Sequence, residues 1–120
     1  MARNVRKIRV SMGIALAAIV TAYRNDQSFR LEVNWGIPVF LFLAFVFQPL
    51  SELERFWMIL AYILVLAFEL TNCAIEQALD RLHPEEHPDI GLAKDFASAA
   101  VFMTFVHIGI MILAMVAARM

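Results

Sequence analysis

Long stretches without a charged residue limit what this chain can fold into. Residues 96–118 contain no Asp, Glu, Lys or Arg, and residues 56–68 form a second such stretch. A helix needs roughly twenty predominantly apolar residues to cross the hydrocarbon core of a bilayer. The apolar fraction is 62%, above the roughly 45–50% of a soluble domain. A water-soluble chain of 120 residues could not bury this much apolar surface, so the sequence predicts a single membrane domain.

The apolar runs predict an all-α membrane protein with three transmembrane helices preceded by an amphipathic N-terminal surface helix. The first segment, about 5–28, has a short apolar run with charges at both ends, so we expect it to lie at the membrane surface. The segments expected after it are spanning helices at about 31–48, 55–80 and 94–118, with a proline-containing loop at 82–92. In the alternative, the first segment is a short span and there are four crossings.

The charge distribution predicts the orientation in the membrane. The first quarter of the chain is basic, whereas residues 48–55 are slightly acidic. The positive-inside rule therefore places the N-terminus and the loop 82–92 in the cytoplasm and the turn at 48–55 outside. Gln48 and Pro49 are expected to break the first span, and Trp57 and Tyr62 to lie in the interface at the outer end of the second.

The sequence argues against a nucleic-acid partner and against a cysteine or zinc site. Basic residues are not interleaved with aromatic ones, which argues against a nucleic-acid-binding surface. Cys73 is the single cysteine, so an intrachain disulfide and a cysteine metal cluster are impossible. His83 and His87 have the spacing of a zinc pair, but Pro84 between them and the shortage of nearby ligands argue against one.

The second predicted span carries a stripe of polar side chains: Glu69, Asn72, Glu76 and Asp80. At roughly 100° per residue these four positions fall within about 80° of one helix face. Glu69 directly follows the apolar run, so it belongs within the membrane, where an acid marks a functional site by default. The alternative is a helix end leaving the membrane, with Glu69 paired to a structural arginine.

Lys94 and Asp95 precede the third span, across the loop from this stripe. Carboxylate oxygens suit Mg²⁺, which binds one or two of them together with substrate phosphates. Acids, a divalent cation and a lysine are the minimum required for phosphoryl transfer, although Lys94 could instead extend to lipid headgroups. The glycines are isolated and the sequence has no G-x-x-x-x-G-K-[ST] motif, which excludes an ordinary P-loop kinase.

Two blocks of sequence resemble the prokaryotic diacylglycerol kinase family of small membrane lipid kinases. Residues 69–81, ELTNCAIEQALDR, and residues 93–101, AKDFASAAV, follow the family pattern with the same spacing between them. Cys73 stands where the family has Ser or Thr. Upstream, FRLE at residues 29–32 resembles the family's Phe-Arg-x-Glu, and Asp26 stands where members usually have Glu.

The resemblance implies a role for each matching residue. Glu69 would be the general base, and Asp26 and Glu76 would hold Mg²⁺. The residues that would bind ATP are Asp26, Asn72, Glu76, Asp80, Glu85, Glu86, His87, Lys94 and Asp95. Those that would bind the lipid substrate are Ser28, Phe29, Arg30, Leu31, Glu32, Arg55, Glu69 and Ser98. The family also implies a homotrimer, with active sites shared between protomers, in the bacterial cytoplasmic (inner) membrane.

Two other functions remain open from the sequence. The related undecaprenol kinases have the same fold: Arg81 and residues 98–101 favour the diacylglycerol branch, whereas the His-Pro pairs of the loop favour the other. A small proton-coupled transporter would also place an acid in a span. Such proteins typically have four spans and one dominant acid, whereas this chain clusters its acids near Lys94.

Overall fold

The computed structural model describes residues 1–47 and 50–120, except the side chain of Phe47. The described chain is helical almost throughout and contains no strand. Its α-helices are α1 (Ala2–Asn25), α2 (Gln27–Leu31), α3 (Ile37–Phe42), α4 (Glu52–Leu82) and α5 (Pro88–Ala117). Two π-helical turns, Glu32–Gly36 and Leu43–Phe47, flank α3. The predicted break at Gln48 and Pro49 lies outside the described residues.

Three helical segments of the described chain are long and apolar enough to cross a membrane: Gln27–Val46, Glu52–Leu82 and Pro88–Ala117. Helix α1 is not among them, and none of its residues is buried. The predicted fold class, three spanning helices after an N-terminal helix, is therefore confirmed. The first spanning segment begins at Gln27, earlier than the expected 31, because the Asp26 carboxylate caps the helix by accepting the Phe29 N–H at 2.7 Å.

The first spanning segment runs without a break from α2 through the turn Glu32–Gly36 into α3. Glu32 and Ile37, where these pieces join, both have right-handed helical dihedral angles. The Ile37 N–H bonds to the Glu32 carbonyl, five residues back, so the helix is one residue wider at this turn. Pro38 follows directly; it lacks an N–H and would crowd the carbonyl four residues earlier in a regular α-helix. The wide turn accommodates this proline.

Helices α4 and α5 form a long pair joined at both ends. The Ser51 hydroxyl accepts the Glu54 N–H while the Glu54 carboxylate accepts the Ser51 N–H, a capping box that begins α4. Residues 83–87 connect the two helices, inside the segment 82–92 predicted as a loop, and His87 caps α5 before Pro88. At the opposite ends, the Arg119 guanidinium donates to Glu54 Oε1 at 2.7 Å, a hydrogen bond that raises the pKa of Arg119.

The core lies where α4 packs on the first spanning segment. Phe40, Ala44, Met58 and Tyr62 form the buried cluster, and the Phe40 and Tyr62 rings lie 4.9 Å apart. Tyr62, predicted to be an interfacial aromatic, has its ring and hydroxyl buried against the first spanning segment. Most large apolar side chains elsewhere are exposed, as expected of surfaces that face lipid or other protein in a membrane.

Candidate active site

Glu69 lies at the centre of a cluster of acidic side chains. It is on α4 and only 6% exposed. Three other carboxylates interact electrostatically with it: Glu32, Asp26 and Glu76. These come from different parts of the chain, namely the first π turn, the junction of α1 with α2, and a position two turns further along α4. We call Asp26, Glu32, Glu69 and Glu76 the acidic cluster.

The break between α1 and α2 positions Asp26. Its backbone is extended (φ −107°, ψ 121°), which ends α1 and lets its carboxylate cap α2. Phe29 is buried one turn later and anchors α2, while Arg30 Nη1 donates to the Arg24 carbonyl at 3.3 Å. The Asp26 carboxylate also interacts electrostatically with the Cys73 thiol of α4. The junction is thus held against the helix that carries Glu69.

Glu32 is held in the cluster by Tyr62. The Tyr62 hydroxyl lies 2.7 Å from the Glu32 carbonyl oxygen and 2.9 Å from Glu32 Oε2. It occupies the space above Gly36, where a Cβ atom would lie 1.7 Å from the hydroxyl oxygen. Tyr62 is a site residue that sequence reasoning missed, because an aromatic residue near a predicted helix end is usually an interfacial anchor.

Asn72 and Glu76 extend the cluster along α4. Asn72 Nδ2 donates to Glu76 Oε1 at 3.4 Å, whereas the buried Asn72 Oδ1 has no hydrogen-bond partner among the described residues. In the part of the chain that the structure describes, no three His, Cys, Asp or Glu side chains form a complete metal site. Asp26 and Glu76 nevertheless both interact with Glu69 and Cys73. Carboxylate and amide oxygens are the kinds of ligand that Mg²⁺ binds, together with water and phosphate oxygens.

A second group of predicted residues gathers around the loop between α4 and α5. The Lys94 ammonium forms an ion pair with Asp80 and also interacts with Glu76. A pocket of about 600 Å³ opens beside this pair. The predicted nucleotide-binding residues that line it are Asp80, Glu85, Glu86, His87 and Lys94. Glu76 thus links the acidic cluster to a pocket whose lining includes charged side chains.

The structure does not bring every predicted residue to these two places. Arg55 is near the other end of α4, fourteen residues before Glu69, or about 21 Å at 1.5 Å per residue. It donates to the Ala44 carbonyl at 3.3 Å and pairs with Glu52 at 2.5 Å. Asp95 is exposed and outside the pocket lining, and Ser28, Leu31 and Ser98 are exposed on their helices.

The fold and the site define the class of protein. Three membrane-spanning helices carry a half-buried group of carboxylates, and a charged pocket adjoins it at the loop end of α4 and α5. This combination is typical of a small integral-membrane enzyme that catalyses a reaction between a substrate in the bilayer and a charged, water-soluble substrate.

Comparison with known proteins defines the family. Residues 13–116 match the family model described as prokaryotic diacylglycerol kinase. The diacylglycerol kinase of Pseudomonas aeruginosa is 37% identical over 100 residues, covering 83% of this chain and 80% of the relative. The diacylglycerol kinase of Haemophilus influenzae is 35% identical over 102 residues, which cover 80% of this chain and 80% of the relative. The diacylglycerol kinase of Escherichia coli is 31% identical over 101 residues, which cover 83% of this chain and 80% of the relative. The chain belongs to the prokaryotic diacylglycerol kinase family.

Proposed function

We propose that this protein transfers the γ-phosphoryl group of ATP to the primary hydroxyl of diacylglycerol, giving phosphatidic acid. The observation that carries the proposal is the burial of Glu69 within a membrane-spanning helix, where Asp26, Glu32 and Glu76 interact electrostatically with it. A buried acid with acidic neighbours is destabilising, so its presence requires a use. The similar proteins named diacylglycerol kinase support this choice of lipid.

Glu69 acts as the general base in this proposal. The lipid hydroxyl oxygen attacks the γ-phosphorus and forms a new O–P bond, while the bond to the β–γ bridging oxygen breaks and ADP leaves with that electron pair. The hydroxyl proton passes to the Glu69 carboxylate. A positioned base of this kind contributes roughly 10²–10⁴-fold to a rate. Because Glu69 is buried, lipid reaches it more readily than bulk water does.

The charged pocket beside the loop binds the nucleotide in this proposal. Lys94 exchanges its pairing with Asp80 for a phosphate oxygen, and the loop residues Glu85, Glu86 and His87 contact the base and ribose. Asn72 supports Glu76 between the pocket and the acidic cluster. Asp95 stays part of the proposed set, although it is exposed and outside the pocket lining.

The acids nearest both substrates would hold Mg²⁺. Asp26 and Glu76 are the proposed ligands, with Asn72 Oδ1 nearby as a further hard oxygen. When bound, Mg²⁺ neutralises charge on the β- and γ-phosphates of the nucleotide. The Asp26 carboxylate also caps α2 by accepting the Phe29 N–H, so the chain fixes this carboxylate before any ion arrives.

The lipid approaches from the side of the first spanning segment. The residues proposed to contact its headgroup region are Ser28, Phe29, Arg30, Leu31, Glu32 and Ser98. Phe29 is buried and Glu32 adjoins Glu69, so these two contribute by fixing the entrance rather than by exposed contact. Arg55 lies toward the opposite end of α4, and we propose no contact of Arg55 with the reacting hydroxyl.

We further propose that the active protein is a homotrimer in the bacterial cytoplasmic membrane. One protomer encloses little: Glu69 is buried, but Asp80 and the loop residues 82–87 are exposed. Helices of neighbouring protomers would cover these groups and complete each site. The N-terminus and the loop would face the cytoplasm, where ATP is available. Cross-linking in native membranes, followed by mass measurement of the products, tests for a trimer against a monomer or dimer.

A kinase assay in mixed micelles tests the proposal. Purified protein receives Mg²⁺, ATP and either diacylglycerol or undecaprenol, and the phosphorylated lipid is quantified. We expect phosphatidic acid from the wild type and a fall of at least 10²-fold in turnover for Glu69→Gln. Glu52→Gln, an exposed acid at the far end of α4, is the matched control and should retain activity. Preferred phosphorylation of undecaprenol would assign the protein to the undecaprenol kinases instead. Near-normal turnover in Glu69→Gln would exclude Glu69 as the general base.

A further inference from the structure

Tyr62 makes a contact in the acidic cluster that neither the sequence motifs nor the proposed reaction accounts for. Its single hydroxyl proton is directed at two oxygens of Glu32, the backbone carbonyl at 2.7 Å and Oε2 at 2.9 Å. The residue thereby joins α4 to the first spanning segment across thirty positions of sequence. A contact at both the backbone and the side chain of one residue restricts that residue more than either would alone.

Two unusual local features make room for this hydroxyl. The π turn at Glu32–Gly36 widens the helix, so the Glu32 carbonyl bonds to the Ile37 N–H and also accepts from Tyr62. Gly36 leaves space for the phenol, since a Cβ there would lie 1.7 Å from the hydroxyl oxygen and 2.9 Å from the ring carbon that bears it. The wide turn, the glycine and the tyrosine therefore form one arrangement around Glu32.

The arrangement acts on Glu69 through Glu32. Glu32 is one of the three carboxylates that interact with Glu69, and Tyr62 itself interacts electrostatically with Glu69. A free Glu32 side chain could rotate into the space beside Glu69 that the lipid hydroxyl must enter. With Oε2 held by the phenol, Glu32 keeps one orientation.

We propose that Tyr62 is a positioning residue, which fixes Glu32 beside the base Glu69 so that the lipid hydroxyl can approach it. This inference rests on the proposed kinase function but concerns a different residue and a different contact. The nucleotide pocket is lined by residues of the α4–α5 loop and its neighbours, to which Tyr62 does not belong. The effect of Tyr62 should therefore fall on the lipid step and not on nucleotide binding.

The test is Tyr62→Phe, which removes the hydroxyl and keeps the ring that packs on Phe40. We expect kcat/KM for diacylglycerol to fall about tenfold, while KM for Mg·ATP changes less than about twofold. In a Glu32→Ala background the same substitution should have no further effect, since its partner is gone. Tyr23→Phe is the matched control, because it removes a tyrosine hydroxyl that donates to Asn34 Oδ1 at 2.8 Å and not to Glu32.

Each outcome decides between a positioning role and packing alone. If the wild type is active and Tyr62→Phe leaves kcat/KM for diacylglycerol unchanged, the inference is overturned but the kinase proposal stands. The inference is also overturned if Tyr62→Phe lowers kcat/KM for diacylglycerol equally in the wild-type and the Glu32→Ala backgrounds. If the wild type phosphorylates no lipid, the kinase proposal fails separately. Infrared difference spectra then test the hydrogen bond between Tyr62 and Glu32, because Tyr62→Phe must shift the carboxylate stretching band that Glu32→Gln removes. An unchanged carboxylate region overturns the inference.

Discussion

Among the residues that the structure describes, no arginine forms an ion pair with Glu69. Arg30 donates to a backbone carbonyl, Arg55 pairs with Glu52, and Arg119 pairs with Glu54. The charged groups that interact with Glu69 are the carboxylates of Glu32, Asp26 and Glu76. An isolated acid at a helix end would be expected to reach water or a base, so the alternative interpretation of the stripe as a solvated helix end loses its support.

Lys94 gives the sharpest prediction at the scale of single residues. Lys94→Ala removes the ammonium that pairs with Asp80 at the edge of the pocket. If this ammonium binds a phosphate oxygen, KM for Mg·ATP should rise roughly 10- to 100-fold, the effect expected of one charged hydrogen bond. Steady-state kinetics at varied ATP and saturating diacylglycerol measure the change.

Lys7→Ala is the control for this substitution. Lys7 is the other lysine of the chain and is exposed on α1. Its replacement should leave KM for Mg·ATP within about twofold of the wild type, as expected for a surface change away from a site. A normal KM in Lys94→Ala would assign Lys94 to Asp80 or to lipid headgroups alone.

At the scale of elements, the first π turn depends on a glycine. Gly36→Ala puts a methyl group where the Tyr62 hydroxyl lies, and either the tyrosine or the turn must move. We expect a loss of about 1–3 kcal/mol in the free energy of unfolding, as for other overpacked sites. Unfolding in mixed micelles of dodecyl sulfate and a mild detergent measures it.

Gly13→Ala is the matched substitution. Gly13 lies within α1 and has no atom within 4 Å of the position that a Cβ would take. There the change should be neutral or stabilise by up to about 1 kcal/mol, through the helix propensity of alanine. Equal unfolding free energies for the two variants would show that the space above Gly36 is not required.

The start of α4 depends on the capping box at Ser51. Ser51→Ala removes the acceptor for the Glu54 N–H, and we expect a loss of about 1 kcal/mol in stability with little change in turnover. The same unfolding measurement applies. Ser11→Ala on exposed α1 is the control, since Ser11 caps no helix. A loss of turnover larger than the loss of stability would contradict a purely structural role.

Periodicity in the sequence predicted the long elements well and the irregular ones poorly. The stripe from Glu69 to Asp80 could be found because it repeats at helical spacing on a single element. The two π turns have no comparable signal, since a widened turn is decided by what packs beside it. Tyr62 reaches Glu32 across two spanning helices, so no local pattern pointed to that contact.

At the scale of the whole molecule, we expect three spans to put residues 4 and 120 on opposite sides of the membrane. We expect cysteines at positions 4 and 89 to react with a membrane-impermeant maleimide from the cytoplasmic side, and one at 120 from outside, in a Cys73→Ser background. Labelling of intact cells and of inverted vesicles measures this. Reaction of positions 4 and 120 from the same side would contradict three spans and favour the transporter alternative.

Architecture and family followed from the sequence because apolar run length and motif spacing are local properties. The gathering of Asp26, Glu32 and Glu69 needed the structure, because it depends on how the first spanning segment docks on α4. The roles of these acids and the assembly of protomers involve molecules beyond a single chain. They remain predictions for the experiments above.

The fit of Tyr62 into the space above Gly36 has a consequence for how this protein can diverge. A mutation that adds any side chain at position 36 collides with the phenol, so the two sites cannot drift independently while the tyrosine is kept. Relatives with tyrosine at the equivalent of position 62 should retain glycine opposite it. Lineages that have replaced the tyrosine with a smaller apolar residue should be free to accept alanine or larger residues there. Positions 36 and 62 should therefore covary across many genomes, because one hydroxyl group excludes a side chain opposite it.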